Sequence, residues 1–172
     1  HQEDEHPKAE AWAQLVAPVL AKDVSAQPAT DILGVALPDA LRVRRPVQGR
    51  GAIIIPTRKG LDLLQPCVDS ILKSLPHNEL KAEIIIINHE SDDAACLAYM
   101  EGLRSAGQAR IIDYQGPFNW ALMNNLAAQD ADAEVLVFLN NDTVVISPDW
   151  LDALGAQALR PEVGVVGARL LY

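Results

Sequence analysis

From residue 50 onward, short apolar segments alternate with longer amphipathic ones. The short segments are rich in β-branched residues and almost continuously apolar, a pattern typical of strands that are covered on both faces of a parallel sheet. They predict strands at Ala52–Ile55, Glu83–Ile87, Ile111–Tyr114, Val135–Leu139 and Val163–Val166. The segments between them predict helices. The chain is therefore expected to form an α/β domain with a mostly parallel, open sheet and helices on both faces.

The clearest helical period lies in the segment from Gly60 to Leu75, where apolar residues recur every three or four positions. Ser91 is predicted to cap a second helix, because serine side chains accept hydrogen bonds from the first free amides of a helix. Ser147 followed by Pro148 is predicted to begin another helix, since proline suits the first helical position.

The first fifty residues have a different pattern. Ala11–Ala21 predicts a short helix strained by Pro18. Leu41–Arg50 holds four arginines and no acid, and we favour a solvated edge strand or linker there over an anion site. Residues 1–50 are therefore assigned to an N-terminal helical and linker extension, and residues 51–172 to the main domain. The acidic N-terminus without an initiator Met suggests a piece of a longer protein.

The composition narrows the possible functions. The 172 residues are 49% hydrophobic and 22% charged, which is ordinary for one globular domain with an appendage. The net charge is −9, and such a field repels a phosphate backbone, so nucleic acid is not an expected partner. No apolar run approaches the about 20 residues of a membrane-spanning helix. Cys67 and Cys96 lack metal-ligand spacing and are predicted to be buried thiols in a reducing compartment.

Ligands of open α/β sheets bind beyond the carboxyl ends of the strands, so the residues directly after each predicted strand are the candidates. After the first strand, Pro56-Thr57-Arg58 offers a hydroxyl and a guanidinium to a nucleotide, without a glycine-rich phosphate loop. A proline turn leading into a helix is the alternative interpretation. After the second strand, the Asn88 amide could bond the polar edge of a base, whereas His89 is more typical of a structural residue.

The fourth predicted strand leads into Asn140-Asn141-Asp142. A carboxylate with an amide oxygen two residues earlier suits a hard cation such as Mg²⁺ or Mn²⁺ that also binds substrate phosphates. An Asx turn is the alternative, and these residues alone leave both open. Between this motif and Asn88, the segment Gly116–Asn125 places asparagines near a helix start, with Phe118 and Trp120 predicted to lie in the core.

Together these stretches make the chain resemble a known family. They are IIIPTRKGLDLLQPCVDSIL, EIIIINHESDD, GPFNWALMNNLA, VLVFLNNDTVVISPDWL and PEVGVVGARLLY, in this order over residues 51–172. The order and content resemble those of the family 2 glycosyltransferases with the GT-A fold. These are inverting enzymes that transfer a sugar from a nucleotide-sugar donor.

The resemblance implies a set of site residues and partners. Positions matching the family's nucleotide-sugar site are Pro56, Thr57, Arg58, Asn88, Glu90, Asn119, Asn125, Asn140 and Asn141. Asp142, with Asn140, matches the D-x-D motif that holds Mg²⁺ or Mn²⁺ against the diphosphate. The implied partners are a nucleotide-sugar donor and a glycan or glycoconjugate acceptor, such as a bacterial surface polysaccharide. The implied location is the cytoplasm, and attachment to the inner face of the membrane through the rest of a longer protein is left open.

Three positions depart from the family pattern. Asn88 and Asn140 stand where the family usually has Asp, and Glu90 stands where it usually has Gly. The family's acceptor-binding half and carboxylate general base are expected after Tyr172. Our leading hypothesis is therefore the donor-binding half of a metal-dependent sugar transferase. A non-catalytic nucleotide-binding or interaction domain on a degenerate GT-A scaffold is the alternative, and a nucleotidyltransferase is a third for which Arg58-Lys59-Gly60 is a thin match.

Overall fold

The computed structural model describes residues 9–20, 24–30 and 35–168, and the chain divides into two compact units between Val47 and Gln48. The first unit contains the helix α1 (Ala9–Val16), a 3-10 turn (Ala17–Val19) and the antiparallel strands β1 (Ser25–Thr30) and β2 (Ala36–Arg44). The α-helix ends before Pro18, because proline cannot donate the next helical hydrogen bond. The predicted helix end at Ala21 lies outside the described residues. The sequence pattern did not predict the pairing of β1 with β2.

The second unit is an α/β domain. Its elements are β3 (Arg50–Thr57), α2 (Leu61–Ser74), a 3-10 turn (Leu75–His77), β4 (Lys81–His89), α3 (Ala94–Ser105), β5 (Arg110–Tyr114), α4 (Trp120–Gln129), β6 (Val135–Phe138) and α5 (Trp150–Ala158). The four strands are parallel and lie in the order β5-β4-β3-β6. The predicted fold class and the first four predicted strands are confirmed.

Seven buried isoleucines from the two central strands, β3 and β4, lie at the centre of the core. Ala52 and Ile54 of β3 are buried on one face of the sheet against Met123 and Ala127 of α4. Ile53 points to the opposite face by the alternation of strand side chains and is equally buried, on the side of α2 and α3. Each fully buried isoleucine contributes about 1.5–3 kcal/mol of hydrophobic stabilisation. The core therefore surrounds both central strands and fixes where their carboxyl ends lie.

The fifth predicted strand is wrong. Residues 161–168 have no strand pairing, and Val165 is 87% exposed. The backbone N–H of Val163 donates to the carbonyl of Arg160 at 2.9 Å, which closes a turn after α5. Gly164 and Gly167 interrupt the apolar run, and glycine weakens a strand because it adds backbone entropy and no packing side chain.

Two predicted helix starts are also wrong. The carboxylate of Asp93, rather than the Ser91 hydroxyl, caps α3 by accepting from the amides of Ala95 and Cys96. The Ser91 amide is bonded to the Asn88 side chain, and this turn delays the start of the helix. The last helix begins at Trp150 rather than Pro148, after a turn in which the Trp150 amide donates to the Ser147 carbonyl at 3.2 Å.

Both cysteines are buried free thiols, as predicted. Within residues 9–20, 24–30 and 35–168, no helix has the length and apolar character needed to cross a membrane.

Candidate functional site

Three polar side chains lie side by side at the carboxyl edge of the sheet. Thr57 ends β3 and is 4% exposed, and its register partner on β4 is Asn88. On the other side, the Asn141 amide nitrogen donates to the Thr57 hydroxyl at 3.0 Å. The sheet therefore brings the loops after β3, β4 and β6 together at Thr57. Because this hydroxyl accepts from Asn141, its own proton is left to donate to a ligand oxygen. Pro56 beside it is half-buried, and Arg58 is exposed.

Asn88 anchors the turn that follows β4. Its side-chain oxygen accepts from the Ser91 amide at 3.1 Å, and its nitrogen donates to Asp113 on β5 at 2.9 Å. An asparagine amide has two N–H groups, so one further donor can serve a ligand. The predicted contact of Asn88 with a base stays a prediction, but it would use this second N–H.

Glu90 and His89 connect the loop after β4 to the loop after β5. Glu90 has a φ of 49°, a left-handed conformation that glycine adopts without strain and other residues rarely adopt. The Gly116 amide donates to the Glu90 carboxylate at 3.2 Å, and the Gly116 carbonyl lies 2.9 Å from Nε2 of His89. Since a carbonyl only accepts, Nε2 carries the hydrogen. The buried Nδ1 has no protein partner among the described residues.

The prediction that Phe118 and Trp120 lie in the core is wrong. Phe118 is 67% exposed, with its ring 5.7 Å from that of His89. Trp120 is 43% exposed and packs edge-on against Phe138 of β6, the strand at the edge of the sheet. Phe118 precedes α4 and Trp120 is its first residue, so neither ring is covered by the rest of the helix.

The asparagines of α4 have different environments. Asn119 is the N-cap, and its side-chain oxygen accepts from the Leu122 amide at 2.9 Å. Asn125 is exposed, whereas Asn124 is buried beside the core residue Met123. The Asn124 amide donates to the Trp120 carbonyl at 2.8 Å, and its buried oxygen has no hydrogen-bond partner in the described part of the chain. The family resemblance implies a site role for Asn125 and none for Asn124, although the helical period places residue 124 next to the core face.

The motif after β6 forms a turn at Asn141 and Asp142. The Thr143 hydroxyl closes the turn by donating to the Asn140 carbonyl at 2.8 Å, while the side chains of Asn140 and Asp142 are exposed. The turn interpretation and the cation interpretation are therefore compatible. In the part of the chain that is described, no three His, Cys, Asp or Glu side chains form a ready-made metal site. The oxygen donors here are one carboxylate and neighbouring amides.

Cys67 of α2 lies directly beneath this turn. Its thiol donates to the Asn140 carbonyl at 3.6 Å and lies 3.8 Å from the Thr143 hydroxyl. Burial raises the pKa of the Cys67 thiol, so it stays protonated at neutral pH and remains a donor. The sequence analysis treated Cys67 only as a buried thiol. The signal it missed is that Cys67, Ser70 and Ser74 are polar residues on the apolar, inward face of an amphipathic helix.

Comparisons with solved structures identify the fold of the second unit. A mannosyltransferase from Pyrobaculum calidifontis, solved with GDP-Man and Mn²⁺, superposes with a TM-score of 0.57 at 20% identity over 68% of this chain. The structure of GalNAc-T7 with UDP, GalNAc and Mn²⁺ superposes with a TM-score of 0.53 at 19% identity over 64% of this chain. These likenesses show that the second unit has the GT-A glycosyltransferase fold.

The sequence places the chain in a family. The model described as "Glycosyl transferase family 2" matches residues 52–172, and the O-antigen biosynthesis protein RfbC of Myxococcus xanthus is 39% identical over 137 residues, or 78% of this chain. The chain belongs to glycosyl transferase family 2, so the resemblance found in the sequence is confirmed. It spans 10% of the RfbC protein, 34% of the mannosyltransferase and 21% of GalNAc-T7.

Proposed function

We propose that this chain is the donor-binding half of an inverting, metal-dependent glycosyltransferase that uses a nucleotide-diphosphate-sugar. The observation that carries the proposal is the row of Asn88, Thr57 and Asn141 at the carboxyl edge of the sheet, with Asp142 next in sequence. Parallel α/β sheets bind nucleotides at this edge. Membership in glycosyl transferase family 2 supports the same function.

The side chains supply the contacts that such a donor needs. Thr57 can donate its hydroxyl proton and Asn88 its second amide N–H to oxygens of the nucleoside. Pro56 adjoins Thr57, Glu90 follows Asn88 by two residues, and the exposed Arg58 guanidinium suits a phosphate. On the α4 side, Asn119 and Asn125 are the predicted polar contacts, although the Asn119 oxygen also caps the helix.

A divalent cation fits the motif after β6 if the diphosphate completes its coordination. Asp142 and Asn140 would hold it, because carboxylate and amide oxygens are ligands that Mg²⁺ and Mn²⁺ accept. Two protein side chains do not fill the coordination shell of such a cation, but Mg²⁺ and Mn²⁺ usually keep substrate phosphates and water as further ligands. When bound, the cation stabilises the negative charge of the departing diphosphate. Asn140 in place of an aspartate removes one negative charge, so we expect weaker metal binding in the absence of nucleotide.

The acceptor-binding site and the general base are expected in the remainder of the proposed enzyme. In an inverting transfer, the base removes the proton of an acceptor hydroxyl that attacks the anomeric carbon. We assign neither role to a residue of this chain, so it is expected to bind donor without turnover. The O-antigen biosynthesis protein among its relatives favours a bacterial surface polysaccharide as the acceptor.

Calorimetric titration tests the donor site. UDP, GDP and dTDP would be titrated with Mn²⁺ or Mg²⁺ into the wild type, Asp142→Ala and the control Asp132→Ala. The control removes an exposed aspartate that is bonded to Arg50 at the start of β3, away from the row. We expect one nucleotide to bind only with metal, with affinity lowered about tenfold or more by Asp142→Ala. EDTA should abolish the same binding. Absence of binding for every nucleotide at millimolar concentration would contradict the proposal.

The alternative is a non-catalytic nucleotide-binding or interaction domain on a degenerate GT-A scaffold. The observation that favours it concerns position 90, where the family usually has glycine. Here the Glu90 side chain joins the loop after β4 to Gly116. In this case nucleotide binding would be independent of metal, and Asp142→Ala would bind as tightly as the wild type.

A further inference from the structure

A line of polar side chains runs along the inward face of α2 and continues past its end. It consists of Cys67, Ser70, Ser74 and Asn78, and we call it the α2 stripe. The intervals of three, four and four residues place these side chains on one face of the helix. Cys67, Ser74 and Asn78 are all less than 5% exposed.

Three side chains of the α2 stripe donate hydrogen bonds to backbone carbonyls of α2. The Ser70 hydroxyl donates to the Cys67 carbonyl, and the Ser74 hydroxyl donates to the Ile71 carbonyl, each at 2.7 Å. The Asn78 amide donates to the Ser74 carbonyl at 2.8 Å. These bonds restrict each side chain to one orientation, so its remaining hydrogen-bonding capacity points in a fixed direction.

The stripe also makes hydrogen bonds to the segment after β6, and successive residues of the stripe bond successive residues of that segment. Cys67 donates to the Asn140 carbonyl at 3.6 Å, and Ser70 accepts from the Val145 amide at 2.9 Å. Ser74 then accepts from the Trp150 indole at 2.9 Å. The stripe therefore holds the segment at successive points, from the candidate metal motif to the start of α5.

The segment depends on these contacts because it has little structure of its own. β6 ends at Phe138, and among the described residues the last main-chain bond to the sheet is from the Leu139 amide to the Ile54 carbonyl. Beyond it, the Asn141 side chain bonds Thr57 of β3, and residues 143–146 have no regular structure. Asp142 lies between the two points held by Cys67 and Ser70. A carboxylate on an unsupported loop would lose conformational entropy when it bound a metal, and fixing the loop in advance reduces that cost.

We propose that Cys67 and Ser70 are positioning residues of the donor site, holding the main chain on both sides of Asp142 in the geometry that binds a metal-diphosphate. The inference rests on the proposed function for its ligand, but its structural part can be tested without any ligand.

The first experiment compares Ser70→Ala with Ser74→Ala. The two substitutions are chemically identical and lie on the same helix face, but Ser70 bonds the Val145 amide near Asp142, whereas Ser74 bonds the Trp150 indole at the start of α5. Hydrogen exchange at the Val145 amide should accelerate about tenfold in Ser70→Ala, because this N–H loses its acceptor, and should not change in Ser74→Ala. Calorimetry with Mn²⁺ and UDP, GDP or dTDP should show affinity lowered about fivefold in Ser70→Ala and by less than about twofold in Ser74→Ala.

The second experiment uses the two buried thiols. Cys67→Val replaces the donor with a slightly larger apolar side chain, Cys67→Ser retains a hydroxyl donor, and Cys96→Val is the matched control for added bulk in α3. We expect Cys67→Val alone to raise the Mn²⁺ concentration needed for half-maximal nucleotide binding, by about threefold, with Cys67→Ser closer to the wild type.

The outcomes separate this inference from the proposed function. Equal Val145 exchange in Ser70→Ala and Ser74→Ala would overturn the positioning role, whether or not a nucleotide binds. Faster exchange with unchanged metal-dependent binding would also overturn it, because the loop would then not need to be held. A wild type that binds no nucleotide would count against the proposed function, and the exchange measurement would still decide whether the stripe holds the loop.

Discussion

The loops after β4 and β6 lie at the same edge of the sheet but are held in different ways. After β4, Asn88 bonds the Ser91 amide three residues on, and Asp93 caps α3 within the next few residues. After β6, the segment from Asn140 to Asp152 receives its main contacts from Cys67 through Leu80, more than seventy residues earlier. One loop is largely closed by its own sequence, whereas the other is shaped by a distant helix.

This difference has a functional meaning within the proposed enzyme. The loop after β4 is held by bonds within itself and to the neighbouring strand β5 and the loop after it, so it depends little on distant residues. A segment held from outside can change when its support changes, and it carries Asp142. Substitutions at the supporting residues therefore test whether the two loops differ as their contacts indicate.

Asn78→Ala should have the largest effect on stability. Asn78 donates to the Pro148 carbonyl at 2.9 Å and accepts from the Asp152 amide at 3.0 Å, and it is 3% exposed. Its removal leaves partly buried backbone groups without this partner, so we expect a loss of about 2–4 kcal/mol in the free energy of unfolding. Urea denaturation measures this, with the exposed Asn125→Ala as the control. A loss below about 1 kcal/mol would mean that the segment after β6 is not held from α2.

Asp93→Ala should have a smaller effect, confined to the loop after β4. The Asp93 carboxylate accepts from two amides at the start of α3, and an N-cap of this kind contributes about 1 kcal/mol. Ser91→Ala is the matched control, because Ser91 makes no cap bond, and it should cost less than about 0.5 kcal/mol. Thermal unfolding of the two variants distinguishes the residues. Equal losses would restore Ser91 as the cap that the sequence predicted.

The comparison of Glu90→Gly with Glu90→Ala should give the smallest difference. Both variants lose the bond to Gly116, but only alanine keeps the strain of a positive φ. The left-handed conformation costs about 1–2 kcal/mol, and the greater entropy of glycine in the unfolded chain offsets part of this. We expect Glu90→Gly to be more stable than Glu90→Ala by about 0.5–1 kcal/mol in urea denaturation. The reverse order would show that the loop changes conformation when the bond to Gly116 is lost.

The sequence-based predictions were correct where local residues set the structure and wrong where contacts elsewhere in the fold set it. The four strands of the sheet were predicted correctly, because each is a short apolar run rich in β-branched residues. The run Val163–Val166 has a similar composition but pairs with no strand among the residues that the structure describes, and pairing is a tertiary property. Asp93 replaced Ser91 as the cap because Asn88 engages the Ser91 amide, a contact that propensities do not include.

The sequence by itself determined the α/β class, the family, and the candidate residues at the ends of the strands, because each of these depends on local patterns of apolar and polar residues. The tertiary structure decided which candidates meet. It placed Thr57 between Asn88 and Asn141 through strand order and register, and it brought Cys67 to the candidate metal motif and Ser70 to Val145 shortly after it. The physical reason is that a hydrogen bond between residues seventy or more positions apart depends on the packing of whole elements, and no local pattern of side chains encodes that distance.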